Sequence, residues 1–516
     1  MAILPALLLA VFLFSACSQN DDGPQRHRTV DEFSELQKAD YALSAQQIRR
    51  HLGHISMSDR DSTFVDRRVR HYYREGGALI WVNRMGMNPQ ADTLLQYLGD
   101  RLVAMGFSKE AFALPLMRDL WKRCRQLDFD AQHDINRVMA EMEYGLTKAY
   151  LRYAQGQRFG FVSPNAVLNR LDVRNRDTLG RPTDYRRLFD IDIEQPSPEY
   201  RLHLLAQVDS GRVGQCLRAS EPTDTIYALL ADRLPAATDM KARQRLLVNM
   251  ERRRWRVRQS ESGRKHVFVN VAAQQLWAVA PDSIFTMRVV CGSRATKTPL
   301  LNSAINLIQV NPEWVIPMSI VSGETSRHAG DSAYFARRRY VVTRRGSGER
   351  VAVKGLSARD LSSGAYRITQ EGGVGNSLGR IIFRFPNDFS VYLHDTSSPG
   401  AFSNASRALS HGCVRVQRPF DLARFMIGDD DEWLLDRLRI SMDLLPETDQ
   451  GREYLEQHPD EQGHHRMVNA IGVKPAVPVS LDYYTIFPDP ATGQLDTWPD
   501  PYGYDSAIAL ALKPFL

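Results

Sequence analysis

The sequence predicts an α+β protein with several domains, in which helices dominate the first half of the chain and strands dominate the second. Between residues 66 and 160, apolar side chains recur at helical spacing. After residue 265 they alternate with polar side chains, as in half-buried strands. The chain has 516 residues, of which 43% are hydrophobic and 24% are charged. This composition is typical of a soluble folded protein, and the length is enough for two or three hydrophobic cores.

The N-terminus predicts export. Residues 3–16 are apolar but too few to span a bilayer well, which is typical of the hydrophobic region of a signal peptide. Residues 14–17 read Phe-Ser-Ala-Cys and resemble a lipobox, in which Cys17 becomes the lipidated first residue of the mature protein. We therefore expect a lipoprotein signal over residues 1–17, a polar tether over residues 18–60, and a periplasmic protein anchored to the outer membrane. Cleavage without lipidation and an uncleaved membrane anchor remain as alternatives.

Charge and cysteine content limit which partners, metal sites and disulfides the sequence predicts. A net charge of +6 and a pI of about 9.0 are compatible with an anionic partner such as a cell-wall polymer, but a solvated basic surface is the favoured interpretation. We find no basic motif interleaved with aromatic residues, so a nucleic-acid partner is not expected. The five cysteines form no CxxC pair and no cluster with metal-ligand spacing, so we expect neither a zinc site nor another cofactor. A disulfide between Cys124 and Cys216 remains open, because an exported protein meets an oxidising compartment.

The helical and alternating patterns predict where the individual helices and strands lie. Helical stripes, with apolar residues at i, i+3, i+4 and i+7, predict helices that include residues 91–98 and 135–142, and a helical pair follows at residues 220–250. Alternating patterns predict strands at residues 265–271, 285–292, 305–310 and 380–385. A further helix is predicted at residues 420–427. Cys291 lies within one of these strands and is expected to be structural.

Residues 391–417 contain a cysteine and a histidine that suit nucleophilic catalysis. A cysteine nucleophile needs a thiolate, which a neighbouring imidazole supplies by taking the proton. His394 lies 19 residues before Cys413 and ends an apolar, strand-like run, while Cys413 precedes another alternating run. Two adjacent strands can bring both side chains to one end of a sheet. A buried structural cysteine near two surface histidines is the alternative interpretation.

The immediate neighbours of Cys413 also suit a reactive thiol. Gly412 has no side chain, so the backbone N–H groups of Gly412 and Cys413 can turn toward a developing oxyanion. Ser410, His411 and Arg415 supply further donors for a substrate carbonyl or carboxylate.

His411 is the rival to His394 as the general base. It lies two residues from Cys413, and side chains two residues apart on a strand are separated by about 7 Å, which is too far for a direct hydrogen bond. We therefore expect His394 to act as the base and His411 to orient the loop or contact the substrate. Arg415 is also two residues from Cys413, so it can share the cleft and bind a substrate carboxylate. Asp395 is expected on the opposite face, which argues against a Cys-His-Asp triad.

These residues resemble a known family. Residues 410–416 read Ser-His-Gly-Cys-Val-Arg-Val and resemble the signature of L,D-transpeptidases with a YkuD-type catalytic domain. Residues 392–396, Tyr-Leu-His-Asp-Thr, resemble the upstream histidine motif of the YcbB-like branch of that family. Further similar segments lie at residues 249–255, 298–299 and 311–317, and the resemblance extends from about residue 60 to about residue 510.

The resemblance implies a helical scaffold domain beside a mostly-β L,D-transpeptidase catalytic domain. On this basis we expect the scaffold at residues 61–245 and the catalytic domain at residues 246–445. Within the catalytic domain, residues 323–363 are expected to form an insertion that caps the active site and excludes water. Residues 446–516 are expected to form a C-terminal extension that packs on the catalytic domain.

The resemblance also implies a reaction in cell wall biogenesis and cell shape. The donor is a peptidoglycan tetrapeptide stem, and the Cys413 thiolate attacks the carbonyl of its third residue and releases D-Ala. The amine of a second stem then attacks the thioester and forms a 3→3 cross-link. His394 is expected to take the thiol proton and return it to the leaving amine. Water, an envelope protein or a D-amino acid as the acceptor remain as alternatives, as does a non-catalytic lipoprotein that tethers the membrane to the wall.

Overall fold

The computed structural model describes residues 42–258, 264–459 and 465–516. These residues divide into two compact units. Unit 1 contains residues 42–103, 108–154 and 198–219, and unit 2 contains residues 104–107, 155–197 and the described residues from 220 onward. In these ranges no helix combines the length and the apolar run that crossing a membrane requires.

The described residues contain seventeen α-helices, which are α1 (Ala45–Ser58), α2 (Phe64–Arg74), α3 (Gln90–Ala104), α4 (Leu114–Gln126), α5 (Ile135–Phe159), α6 (Pro164–Leu168), α7 (Pro198–Asp209), α8 (Val213–Ser220), α9 (Thr225–Arg233), α10 (Met240–Arg254), α11 (Met318–Gly323), α12 (Ser332–Arg337), α13 (Ala358–Ser362), α14 (Pro419–Ile427), α15 (Glu432–Ser441), α16 (Asp449–Gln457) and α17 (Tyr504–Leu512). The predicted helices at residues 91–98, 135–142, 220–250 and 420–427 are confirmed.

The strands of the first half of the chain are short and are β1 (Val82–Asn83), β2 (Gly86–Met87), β3 (Val173–Arg176), β4 (Pro182–Tyr185) and β5 (Phe189–Asp190). Those of the second half are β6 (His266–Asn270), β7 (Gln275–Val279), β8 (Ile284–Gly292), β9 (Leu300–Val310), β10 (Trp314–Val315), β11 (Tyr340–Arg344), β12 (Tyr366–Gln370), β13 (Ile381–Arg384), β14 (Leu393–His394), β15 (Ala408–Ser410), β16 (Val414–Val416), β17 (Ala470–Asp482), β18 (Ile486–Pro488) and β19 (Leu495–Thr497). The four predicted strands correspond to β6, β8, β9 and β13 and are confirmed.

Helix α1 begins in a region predicted to be a polar tether. Ser44 caps the helix by accepting a backbone N–H of its first turn, and Ile48 and Leu52, one turn apart, are buried. The tether prediction for residues 18–60 is therefore wrong over α1. Ile48, Leu52 and Ile55 recur at helical spacing, but most of the segment is polar, so it was predicted to be a tether.

Unit 1 is built mainly from helices whose apolar faces are buried. The buried positions of α3 include Ala91, Leu94, Leu95 and Leu98. Those of α5 include Ile135, Val138, Met139 and Met142. Both predicted stripes therefore form core, as expected for apolar residues at helical spacing.

The centre of unit 2 is a ten-stranded sheet with the strand order β13-β14-β16-β8-β7-β6-β17-β9-β5, and β15 pairs with β8 outside this path. Strand β13 also pairs with β9, so the sheet closes on itself from β13 round to β9. Closure pairs the backbone groups that an open edge would leave exposed. It also fixes the relative position of β14 and β16, which carry the predicted catalytic residues.

The segment after β16 returns to this sheet. Strand β17 runs parallel to β6 and antiparallel to β9, between the two. Part of the predicted extension at residues 446–516 is therefore a strand of the sheet itself. The scaffold, catalytic-domain and extension boundaries at residues 61, 245 and 445 stay predictions.

Residues 314–371 form a small subdomain of unit 2, which we call the cap. Its antiparallel sheet has the order β10-β12-β11. Its own hydrophobic core consists of Ile316, Ile320, Val321, Phe335, Val342, Leu356, Leu361 and Ile368. A separate core shows that the cap is an ordered subdomain rather than a surface loop, and it extends beyond the predicted range of 323–363 on both sides.

Candidate active site

Parallel pairing of two short strands brings the predicted nucleophile and base together. Strands β14 and β16 lie side by side with Leu393 opposite Val414 and His394 opposite Arg415. Cys413 immediately precedes β16 and is level with Tyr392, so His394 is its diagonal neighbour, two positions farther along the paired strands. The predicted adjacency of the two runs is confirmed.

The turn that carries Cys413 is held by hydrogen bonds within the motif. The Ser410 hydroxyl donates to the Cys413 carbonyl (2.5 Å) and accepts the Gly412 N–H (3.1 Å). Gly412 has a φ of +122°, in the region that favours glycine. In this conformation its N–H is engaged by Ser410, and its role as an oxyanion donor stays a prediction. The N–H of Cys413 has no acceptor in the part of the chain that the structure describes, so it stays a predicted oxyanion donor.

Two threonines outside the motif also hold this turn. Thr296 Oγ1 donates to the Ser410 carbonyl and Thr298 Oγ1 donates to the Gly412 carbonyl, each at 2.8 Å. Both threonines belong to the segment between β8 and β9. Thr298 is fully buried, so its hydroxyl has no water to replace this bond.

Tyr502, from the C-terminal segment, supports the same threonine. Its hydroxyl donates to the Gly292 carbonyl (2.6 Å) and accepts the Thr298 N–H (3.1 Å), and the side chain is buried. Sequence reasoning missed both Tyr502 and the role of Thr298. Thr298 appeared only as part of a family-like segment, and no spacing connects Tyr502 with a motif so far away in the chain.

The Cys413 thiol is half-buried and protonated at rest. Its sulfur lies 4.0 Å from the Ser390 carbonyl oxygen, and the N–H and hydroxyl of Tyr392 lie within hydrogen-bonding reach. Burial raises the pKa of the thiol to about 11, and the Tyr392 hydrogen bonds and the Arg415 charge counteract part of this rise. Tyr392 is a further residue that sequence reasoning did not assign to the site, although it belongs to the quoted histidine motif.

His394 is buried and neutral at pH 7. Its side chain belongs to a residue that is only 4% exposed, and Nδ1 has no hydrogen-bond partner. Burial, followed by the nearby positive charge of Arg415, lowers the pKa of the imidazole to about 4. The backbone of Asp395 and of Leu378 counteracts part of the lowering. A neutral imidazole with a free ring nitrogen can accept a proton from the thiol.

Asp395 is directed elsewhere. Its carboxylate accepts the backbone N–H of Arg380 at 2.8 Å, and burial raises the pKa of the carboxyl group. It makes no hydrogen bond with His394 among the described residues. The expectation that Asp395 completes no triad is therefore confirmed, because strand alternation turns consecutive side chains to opposite faces.

Arg415 lies in the same cleft. Its guanidinium acts electrostatically on both Cys413 and His394. Its Nε is buried without a hydrogen-bond partner, and burial lowers the pKa of the side chain. In the described ranges it pairs with no carboxylate, which leaves it suited to an anionic substrate group.

His411 points toward the cap. Its Nε2 lies 2.8 Å from Oε1 of Glu324, which immediately follows α11. The side chains of His411 and Glu324 are 45% and 59% exposed. His411 therefore has a partner other than Cys413, as expected for a residue that orients the loop or contacts the substrate.

The remaining cysteines do not form a bridge or a metal site. Cys124, Cys216 and Cys291 are free, and burial raises the pKa of Cys291 to about 12. A bridge between Cys124 and Cys216 is thus not formed. Over the described ranges no three histidine, cysteine or acidic side chains are grouped so that they could hold a metal ion. The predicted lipidation residue, Cys17, lies outside the described residues.

Two stretches of the chain match known domain families. Residues 67–234 match the family described as a scaffold domain. Residues 264–440, which include both Cys413 and His394, match the L,D-transpeptidase catalytic domain named YkuD. The chain carries a YkuD L,D-transpeptidase catalytic domain. The prediction of a helical scaffold domain plus a mostly-β YkuD domain is therefore confirmed.

The chain is also similar to a protein of Haemophilus influenzae that is named as a candidate L,D-transpeptidase. The two are 24% identical over 325 residues, which is 62% of this chain and 60% of the relative. The chain thus matches less than two thirds of the relative's own length.

The resting state of the L,D-transpeptidase domain predicts how Cys413 reacts with an alkylating agent. A thiol with a pKa of about 11 is roughly 10⁻⁴ thiolate at pH 7. The iodoacetamide rate at Cys413 is therefore expected to rise about tenfold per pH unit from pH 7 to pH 10. Mass spectrometry of the labelled peptide measures this rate, and the Cys413→Ala variant corrects for the other cysteines. A plateau already at pH 7 would show a preformed thiolate–imidazolium pair instead.

Proposed function

We propose that the protein is a peptidoglycan L,D-transpeptidase that forms 3→3 cross-links between stem peptides through a thioester on Cys413. The observation that carries this proposal is the parallel pairing of β14 and β16 inside the YkuD domain, which puts His394 on the strand next to Cys413, two positions farther along the pair. The pair has the composition that acyl transfer requires, which is a sulfur nucleophile and a neutral base.

The first half of the reaction transfers the donor to the enzyme. His394 accepts the thiol proton while the sulfur attacks the carbonyl carbon of the third stem residue. The tetrahedral oxyanion is stabilised by the Cys413 N–H and by the Tyr392 hydroxyl. The C–N bond then breaks, His394 returns the proton to the leaving amine, and D-Ala departs. A basic nitrogen already held neutral by burial is suited to this exchange, since it does not have to lose a proton first.

Arg415 is proposed to bind a carboxylate of the donor stem. Its charge lowers the pKa of His394 and favours the thiolate form of Cys413. A bound carboxylate would offset that charge and raise the pKa of His394, which then holds the thiol proton more readily. Substrate binding would in this way activate a nucleophile that is protonated at rest.

We further propose that the protein belongs to the YcbB-like branch and works in the periplasm as a lipoprotein. The branch is supported by the family-like segments at residues 249–255 and 392–396. The lipid anchor is supported by the lipobox-like sequence that ends at Cys17. The cap, with its own core beside the motif, is proposed to exclude water from the thioester.

Incubation with purified disaccharide-tetrapeptide tests the main proposal. The protein is produced without residues 1–17, and products are identified by mass spectrometry beside the Cys413→Ala variant. Cross-linked dimers from the wild type alone are the expected result, because only Cys413 can carry the acyl group. Tripeptide without dimers would indicate an L,D-carboxypeptidase. Absence of D-Ala release from folded wild-type protein would contradict the proposal, and wall binding by the inactive protein would then favour a tether.

A further inference from the structure

The cap contains five carboxylates, and four of them are engaged within it or at its edge. Asp331 caps α12, and Asp360 forms a capping box at the start of α13. Glu349 pairs with Arg344. Glu371 pairs with Arg350. These four acidic groups are therefore engaged by partners within the cap.

Glu324 is the exception. Its carboxylate leaves the cap and lies 2.8 Å from Nε2 of His411, two residues from the nucleophile. Nine arginines and one lysine surround it in the sequence of the cap, from residue 314 to residue 371. A half-exposed carboxylate in so basic a segment, placed beside the catalytic turn, is the group of the cap best suited to bind a cation there.

The acceptor in the proposed reaction is such a cation. An alkyl side-chain amine is protonated at neutral pH, so it must be bound as an ammonium group and must lose a proton before it can attack. Arg415 already offers a positive charge for the donor. The His411 imidazole lies on the other side of Cys413 in the sequence motif and contacts the Glu324 carboxylate. Together they offer a base and a negative charge.

We propose that Glu324 and His411 form the subsite for the acceptor amine. This inference rests on the proposed function. Glu324 binds the ammonium group, and His411 accepts one of its protons and passes it to solvent. The freed nitrogen lone pair attacks the thioester carbonyl, the N–C bond forms, and the C–S bond breaks with the electron pair on the Cys413 sulfur. The second proton leaves the new amide nitrogen and restores the thiol through His394.

The test compares two nucleophiles in competition for the same acyl-enzyme. Nα-acetyl-lysine carries a cationic side-chain amine, whereas hydroxylamine is uncharged at neutral pH. Wild type, Glu324→Gln and a matched control, Glu349→Gln, are acylated with disaccharide-tetrapeptide in the presence of both nucleophiles. Glutamine at position 324 can still accept a hydrogen bond from His411, so it removes the charge while it keeps the contact with the cap.

The ratio of lysine product to hydroxylamine product is expected to fall at least tenfold in Glu324→Gln and to stay at the wild-type value in Glu349→Gln. A second variant, His411→Gln, is expected to lower the same ratio. An unchanged ratio in Glu324→Gln would overturn the inference, as would an equal loss of both products, because it would show that Glu324 only holds the turn. If the wild type formed neither product and released no D-Ala, the proposed function would fail and the subsite with it.

Discussion

Replacing His394 by glutamine is expected to lower the rate of D-Ala release by about 10²- to 10⁴-fold at pH 7, because the proposed mechanism then loses the group that takes the Cys413 proton. Glutamine fills a similar volume but has no basic nitrogen. His411, the other histidine of the motif, is engaged by Glu324. Release of D-Ala from disaccharide-tetrapeptide, followed by coupled assay or mass spectrometry, measures the effect.

Alkylation of His394→Gln distinguishes a variant that has lost only the base from one in which Cys413 is no longer accessible. Near pH 10, hydroxide generates the thiolate without help, so His394→Gln and wild type are expected to react with iodoacetamide at similar rates. A variant that stayed slow at high pH would have lost access to Cys413 rather than its base. Full activity of His394→Gln at pH 7 would remove His394 from the mechanism.

Replacing Glu143 by alanine is expected to destabilise unit 1 by about 3–5 kcal/mol. The carboxylate is fully buried in α5 and accepts the backbone N–H groups of Ile80 (2.6 Å), Trp81 (2.8 Å) and Val82 (3.0 Å). It also accepts the hydroxyl of Tyr73 at 2.7 Å. Alanine would leave three N–H donors without an acceptor in a region with little access to water.

Glu141 supplies the matched control from the same helix. Its partner is Arg137, one turn away, and the arginine side chain is 51% exposed. Glu141→Ala is therefore expected to change the free energy of unfolding by less than about 0.5 kcal/mol. Urea titration of both variants, followed by tryptophan fluorescence, measures the difference. Similar midpoints for the two variants would show that the loop at residues 80–82 finds other acceptors.

The positions of the long helices and of the main strands could be predicted from the sequence. Helix α3 and strand β8 are long enough for periodicity to distinguish 3.6 from 2, because several apolar residues contribute to each pattern. Helix α1 was missed because its few apolar residues stand among polar neighbours. The fold of the cap was also missed, since its strands and helices are short and the eight residues of its core are spread from residue 316 to residue 368.

The features of the site can likewise be divided into those that the sequence indicated and those that it did not. Cys413, His394 and Arg415 could be proposed as site residues from the sequence, because residue type and spacing indicate their chemistry. The engagement of the Gly412 N–H by Ser410 was not predicted, because it depends on how one turn closes. Tyr392 was not assigned to the site although it lies two residues from His394, since a tyrosine in an apolar run is predicted to belong to the hydrophobic core.

What the sequence alone determined is the presence of a helical part and a β part, together with a thiol and an imidazole whose chemistry suits nucleophilic catalysis. The tertiary structure decided how those groups are held and what charge they carry. Burial sets the pKa of Cys413 near 11 and that of His394 near 4, and neither value follows from residue type. Support from Tyr502 through Thr298, and contact between Glu324 and His411, join residues that lie far apart in the chain. Such contacts arise only when the sheet closes and the cap folds, because side chains distant in sequence become neighbours through packing rather than through any local pattern.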